Sequence, residues 1–103
     1  MKNKILPHEH DASHDLANLE TALFQVSRFE TVADIFKQLS DTTRIRIFWL
    51  LCHTEQCVIN ISALLDMSSP AVSHHLRALR SCDLIVSRRE GKEVYYKAAD
   101  NSQ

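Results

Sequence analysis

The chain holds one glycine in 103 residues, and its position divides the sequence into two kinds of structure. Gly91 stands in RREGKEV, between the β-prone runs LIVSRR and VYYK. A tight hairpin needs a residue that accepts positive φ, which glycine does without steric cost, so strands are expected near residues 85–89 and 94–97. Everything before them reads helical. In DLANLETALFQVS and ETVADIFKQL the apolar residues recur at three- and four-residue spacing, the pattern of two surface helices or of one helix broken near Ser27.

The next segments form a series. SDTTRIRIFWLLCH offers Ser40 and Asp41 as N-caps and then turns apolar almost all round through Ile45, Ile47, Phe48, Trp49, Leu50 and Leu51, as a central core helix would, with Cys52 in that core. CVINISALLDM is shorter and puts Val58, Ile61, Leu64 and Leu65 on one face. Asp66 to Ser69 are turn formers, and PAVSHHLRALR opens with Pro70 as the first helical residue after a Ser69 cap. The expected fold is therefore mainly α with a small β-hairpin: helices, a short helix, a tight turn, a second short helix and a hairpin, the layout of a winged helix-turn-helix DNA-binding domain.

Composition agrees with one small domain, 45% hydrophobic and 24% charged, which we expect to span residues 14–103 behind a mobile His-rich tail at 1–13. The longest apolar run, Ile47 to Cys52, is too short to cross a membrane, and MKNKILPHEHD has no hydrophobic signal segment. Cys52, Cys57 and Cys82 lack the spacing of a disulfide framework, so a cytoplasmic protein with free thiols is expected. The net charge of −1 conceals a division: residues 1–43 carry four Lys/Arg against seven Asp/Glu, residues 44–97 eight against five. The basic half is where a polyanion would dock.

On a helical wheel centred on Val72, Leu76 and Leu79 fall within about 40° and form the inner edge, while Ser73, His74, Arg77 and Ala78 spread over the opposite side. Such an outer edge fits the major groove. The expected DNA contacts are Ser68, Ser69, Ser73, His74, Arg77 and Arg80 from the helix and its approach, with Arg88, Arg89 and Lys92 from the hairpin. Adjacent helical residues diverge by about 100°, so His74 and His75 are poorly placed to chelate one ion; His74 should face DNA and His75 pack on the shoulder of the core. Histidines elsewhere are better candidates for metal. In PHEHDASHD, His10 and His14 stand four apart, a helical spacing that lets two imidazoles reach one ion. No glycine-rich phosphate loop, HExxH motif or arranged nucleophile and base is visible, so no enzymatic activity is expected.

LSDTTRIRIFWLL, EQCVINIS and MSSPAVSHHLRALRSCDLIVSRREGKEVYYKAAD together resemble the ArsR/SmtB family of bacterial effector-responsive repressors, over about residues 30 to 100. The resemblance implies a homodimer that binds a palindromic operator on double-stranded DNA and releases it when an effector, most often a metal ion, binds. Three positions depart from the family pattern: Asp66 replaces the usual glycine of the turn, Thr42 a frequent proline, and the chain stops at Gln103, where a C-terminal helix would continue the dimer interface. Either the chain is a truncated piece or the dimer rests on the N-terminal helices.

Of the family's metal positions, one pairs an Asp with a His two residues later, and here Asp100 is followed by Ser102. The other uses a CVC segment, matched only by Cys57, with Ile59 and Asn60 following. The set that remains is His10, His14 and Cys57, whose nitrogen and sulfur donors suit zinc first and nickel or cobalt next. Alternatives are a thiol switch at Cys57, placed at the start of a helix, or a winged helix serving as a protein- or RNA-interaction module.

Overall fold

The computed structural model describes Pro7, His8 and residues 16–100. The chain divides after Ala33 into two compact units. The first contains α1 (Leu16–Leu23) and the start of α2 (Val26–Gln38). The helix break falls at Phe24 and Gln25, two residues before the Ser27 expected from the sequence, and is closed by amides of those residues donating to the carbonyls of Thr21 and Ala22. Leu19, Leu23, Phe24, Val26, Phe29 and Val32 of this segment are all exposed.

The second unit runs α3 (Thr42–His53), β1 (Gln56–Cys57), α4 (Val58–Leu65), α5 (Ser69–Ser81), β2 (Ile85–Glu90) and β3 (Glu93–Ala98). Its core is a single cluster of Ile47, Leu51, Ile61, Val72, Leu76, Leu79 and Ile85, to which every helix from α3 to α5 and the hairpin contribute. Each is an apolar side chain on the inner phase of its element, and their burial supplies the main favourable term for folding.

Local chemistry fixes the ends of these elements. Asp41 caps α3 by accepting the Arg44 amide at 3.0 Å, and that hydrogen bond holds its carboxyl below the ordinary 3.8. After α4 the chain reverses at Asp66, whose backbone is left-handed (φ 54, ψ 53), so an aspartate does there what glycine does more often. The Met67 amide then returns to the Ser62 carbonyl at 3.0 Å. The cap of α5 is Ser68, one residue earlier than expected: its Oγ accepts the Ala71 amide at 3.2 Å and α5 begins at Ser69. Pro70 stays in the first turn, where its missing N–H costs nothing.

Two further reversals follow. Asp83 is left-handed (φ 58) as α5 ends, with Asp83 N donating to Arg80 O and Leu84 N to Leu79 O, the paired bonds of a Schellman motif. Gly91 (φ 62) opens the two-residue hairpin loop, with Lys92 outside the positive-φ set, as a type II′ turn requires. The hairpin pairs Ile85 with Ala98 through Glu90 with Glu93.

The hairpin is joined by a strand that the sequence pattern does not reveal. β1 pairs Gln56 with Tyr96 and Cys57 with Tyr95, giving an antiparallel sheet in the order β1-β3-β2. Two residues are too few to show alternation, so only the fold discloses them. Among the described residues, no helix is long and apolar enough to cross a membrane.

Two expectations about α3 and the cysteines need correction. α3 is not buried all round: Ile47 and Leu51 are inside, but Ile45 and Trp49 are exposed, Trp49 by 63%. With Cys52 they form a second apolar stripe at positions i, i+4 and i+7, so Cys52 is exposed rather than in the core. Cys57, expected at the start of a helix, does precede α4 but is only 8% exposed, because β1 carries it into the sheet beside Tyr95.

Candidate nucleic-acid interface

α5 presents two faces. Val72, Leu76 and Leu79 are buried, while His74, Arg77 and Arg80 are exposed on the other side and Ser73 is half-buried. The preceding turn adds Ser68 and Ser69, both exposed. The hydroxyl of Ser68 is used as an acceptor in capping, and that of Ser69 sits 3.2 Å from Ser62 Oγ, tying the start of α5 to α4. Two helices joined in this way through the Asp66 reversal form a helix-turn-helix, and α5 is its exposed second helix.

His74 and His75 separate as the wheel requires. His74 is exposed; His75 is half-buried, with Nδ1 accepting the Arg44 Nε–H at 3.2 Å. That bond places the neutral imidazole's proton on Nε2. Partial burial lowers the His75 pKa from its ordinary 6.5, with Arg44 and His74 adding to the fall and the Asp41 carboxylate opposing it. The Arg44 guanidinium also donates to the Gln38 backbone and side chain, so one arginine links the end of α2, the start of α3 and the middle of α5. Arg44 belongs to no apolar period that would mark it in the sequence. The available signal was its place in the first turn after the Asp41 cap, one turn from where α2 ends.

On the hairpin the two adjacent arginines part company. Successive strand residues point to opposite sides of a sheet. Arg88 is held by carboxylates: Nε and Nη2 donate to Glu55 at 2.9 and 2.8 Å, and Nη1 donates to Glu90 at 2.6 Å. Its guanidinium also lies 4.8 Å from the Tyr95 ring centroid. These bonds push the Arg88 pKa above its ordinary value and hold the Glu55 carboxyl below 4.5. Arg88, expected as a DNA contact, is thus engaged within the protein, and Glu55 is a functional candidate that the sequence did not signal. Arg89 and Lys92 are exposed, and neither they nor Arg77 and Arg80 have an ion-pair partner among the described residues.

The expected metal set is not assembled within the described residues. His10 and His14 lie outside them, and among the described residues no three His, Cys, Asp or Glu side chains come together to hold an ion. His53 stays at the end of α3, its Nδ1 2.8 Å from the Trp49 carbonyl oxygen, as a C-terminal cap.

The model of the arsR family of bacterial regulatory proteins matches residues 41–87, from the Asp41 cap to the first three residues of β2. The chain is 37% identical over 83 residues to a transcriptional repressor SmtB homolog of Synechocystis sp., covering 81% of this chain and 63% of that protein. It is 41% identical over 70 residues to the cadmium resistance transcriptional regulatory protein CadC homolog of Staphylococcus aureus, covering 67% of this chain and 58% of that protein. The chain thus spans less than two thirds of the length of these relatives. Among solved structures it resembles an ArsR-like transcriptional regulator from Rhodococcus sp., with TM-score 0.67 and 33% identity over 74% of this chain and 70% of that one. It also resembles the homodimeric winged helix-turn-helix DNA-binding domain of a Mycobacterium bovis protein, with TM-score 0.71 and 32% identity over 75% of this chain and 71% of that one. With the family model covering α3, the helix-turn-helix and the start of β2, and with these relatives and solved structures agreeing, the chain belongs to the arsR family of bacterial regulatory proteins.

Proposed function

We propose that this chain is a metal-responsive transcriptional repressor that binds a palindromic operator as a homodimer and releases it when the effector binds. The observation that carries the DNA reading is the outer edge of α5: exposed His74, Arg77 and Arg80 opposite buried Val72, Leu76 and Leu79, with Arg89 and Lys92 on the wing, exposed and without an ion-pair partner among the described residues. Arg77 reaches a guanine edge, while Arg80, Arg89 and Lys92 hold phosphates. Ser68, Ser69, Ser73 and His74 supply shorter polar contacts at the helix start. Dimerisation is supported by the apolar side chains that α1 and α2 expose and by the homodimeric Mycobacterium bovis neighbour.

The effector reading rests on the relatives named for cadmium resistance and on His10, His14 and Cys57, with zinc the first choice and nickel or cobalt next. The test is a mobility shift with a duplex selected by the protein from a random library, first in EDTA and then with zinc, nickel, cobalt, cadmium, arsenite or an oxidant. Release by a metal supports the proposal. Release by the oxidant alone transfers the role to a thiol, and absence of duplex binding leaves a protein-interaction module.

A further inference from the structure

We propose that Glu55 is a positioning residue for the wing, acting through Arg88, and that Arg88 is an anchor within the protein and not a DNA contact. This rests on the DNA-binding reading above. The sheet order is β1-β3-β2, so Glu55, immediately before β1, and Arg88, on β2, lie on either side of β3. Their ion pair bridges that central strand, and the Arg88 guanidinium lies over Tyr95, the β3 residue paired with Arg88 on one side and with Cys57 on the other. Both guanidinium edges are in use, one on Glu55 in a bidentate pair and the other on Glu90.

Three consequences follow from this placement. The β1–β3 ladder is only two residues long, so the ion pair reinforces the shortest junction in the sheet. β1 leads directly into α4, so the pair couples the wing to the helix-turn-helix itself. All three Arg88 nitrogens already donate to carboxylates, Nε and Nη2 to Glu55 and Nη1 to Glu90, so the guanidinium that would hold a phosphate is committed within the sheet. Arg89 shares its sheet face with Ile85 and Ser87, the face whose Ile85 packs in the core with Val72, Leu76 and Leu79 of α5. The wing therefore turns Arg89 toward the side of the recognition helix while Arg88 holds it from the opposite face.

The sign of one substitution separates this role from a direct contact. Removing a negative charge strengthens the attraction of a protein for DNA in general. If Arg88 were a phosphate contact, Glu55→Gln would free it and tighten binding. As a positioning residue, Glu55 must have the opposite effect: Glu55→Gln weakens binding to the selected duplex about three- to fivefold. The test adds a measurement made without DNA, the hydrogen exchange of wing amides in residues 85–98, for Glu55→Gln, Arg88→Gln and the double variant, with thermal melting confirming that each is folded. The proposal expects faster wing exchange in each single variant and no further increase in the double variant. Tighter DNA binding by Glu55→Gln, unchanged wing exchange or additive effects in the double variant would each overturn it. A native chain that shows no salt-dependent duplex binding overturns the DNA reading instead, and the exchange data identify which of the two has failed.

Discussion

α3 and α5 are almost equal in length, twelve and thirteen residues, and both press one face into the same core. Their outer faces are opposites. α5 turns out His74, Arg77 and Arg80, whereas α3 turns out Ile45, Arg46, Trp49 and Cys52. Ile45, Arg46 and Trp49, with Leu50 of α3 and Leu64 and Leu65 of α4, line an apolar concavity of about 360 Å³. One helix is amphipathic in the ordinary sense and the other has two apolar stripes. The hydrophobic pattern alone therefore identifies the inner face of α5 and fails on α3, where a continuous apolar run looks like complete burial.

The largest effects should come from the inner faces. Ile47→Ala or Leu76→Ala should each lower the free energy of unfolding by about 2–5 kcal/mol in urea titrations, because the surrounding core only partly fills the cavity. Trp49→Ser, on the outer face of α3, should change it by less than about 0.5 kcal/mol. A cost for Trp49→Ser equal to that of Ile47→Ala would abolish the distinction between the two sides of α3.

On the outer face of α5, Arg77→Ala should reduce preference for the selected duplex over a scrambled one by roughly tenfold or more, as loss of a bidentate base contact does. Lys92→Ala should instead weaken binding to both duplexes alike and lower the salt slope by about one unit. Equal effects of the two substitutions on preference would erase the division between the base-reading helix and the backbone-holding wing.

The smallest effect concerns His75, where α3 and α5 meet. The folded state lowers its pKa from 6.5, so the unfolded chain binds the proton more readily. The stability that depends on the neutral ring is intact above 6.5 and is lost as pH falls below that value toward the lower folded pKa. The Asp41 and Glu55 carboxyls, also lowered, withdraw their contributions only further down, below ordinary values of 3.8 and 4.5. His75→Gln, which can still accept from Arg44, should therefore flatten the fall in stability as pH drops below 6.5 in urea unfolding. A profile that is unchanged assigns that slope to other groups.

Much of the fold was legible because single residues at fixed places dictate it. Gly91 marked the hairpin, the cluster Asp66 to Ser69 the turn, the pair Ser40 and Asp41 the start of α3, and the spacing of Val72, Leu76 and Leu79 the inner side of α5. The opposite fates of His74 and His75 followed from a rotation of about 100°. What escaped depends on partners distant in sequence. Glu55 and Arg88 are 33 residues apart and meet only because β1 joins the sheet, and the Arg44 bond to His75 spans 31. Neither has a local period. The exposure of Cys52 and the burial of Cys57 escaped for the same reason: the second stripe of α3 and the two-residue strand are properties of the assembled unit.

The central claim is that the cationic outer edge of α5 and its wing form a sequence-reading DNA surface. The most direct measurement is the affinity of the unaltered protein for its selected duplex and for a scrambled duplex across a salt series. The account predicts affinity that falls steeply and linearly on logarithmic axes for both, with preference for the selected sequence retained throughout. Affinity that is indifferent to salt, or equal for the two duplexes at every salt concentration, would contradict it.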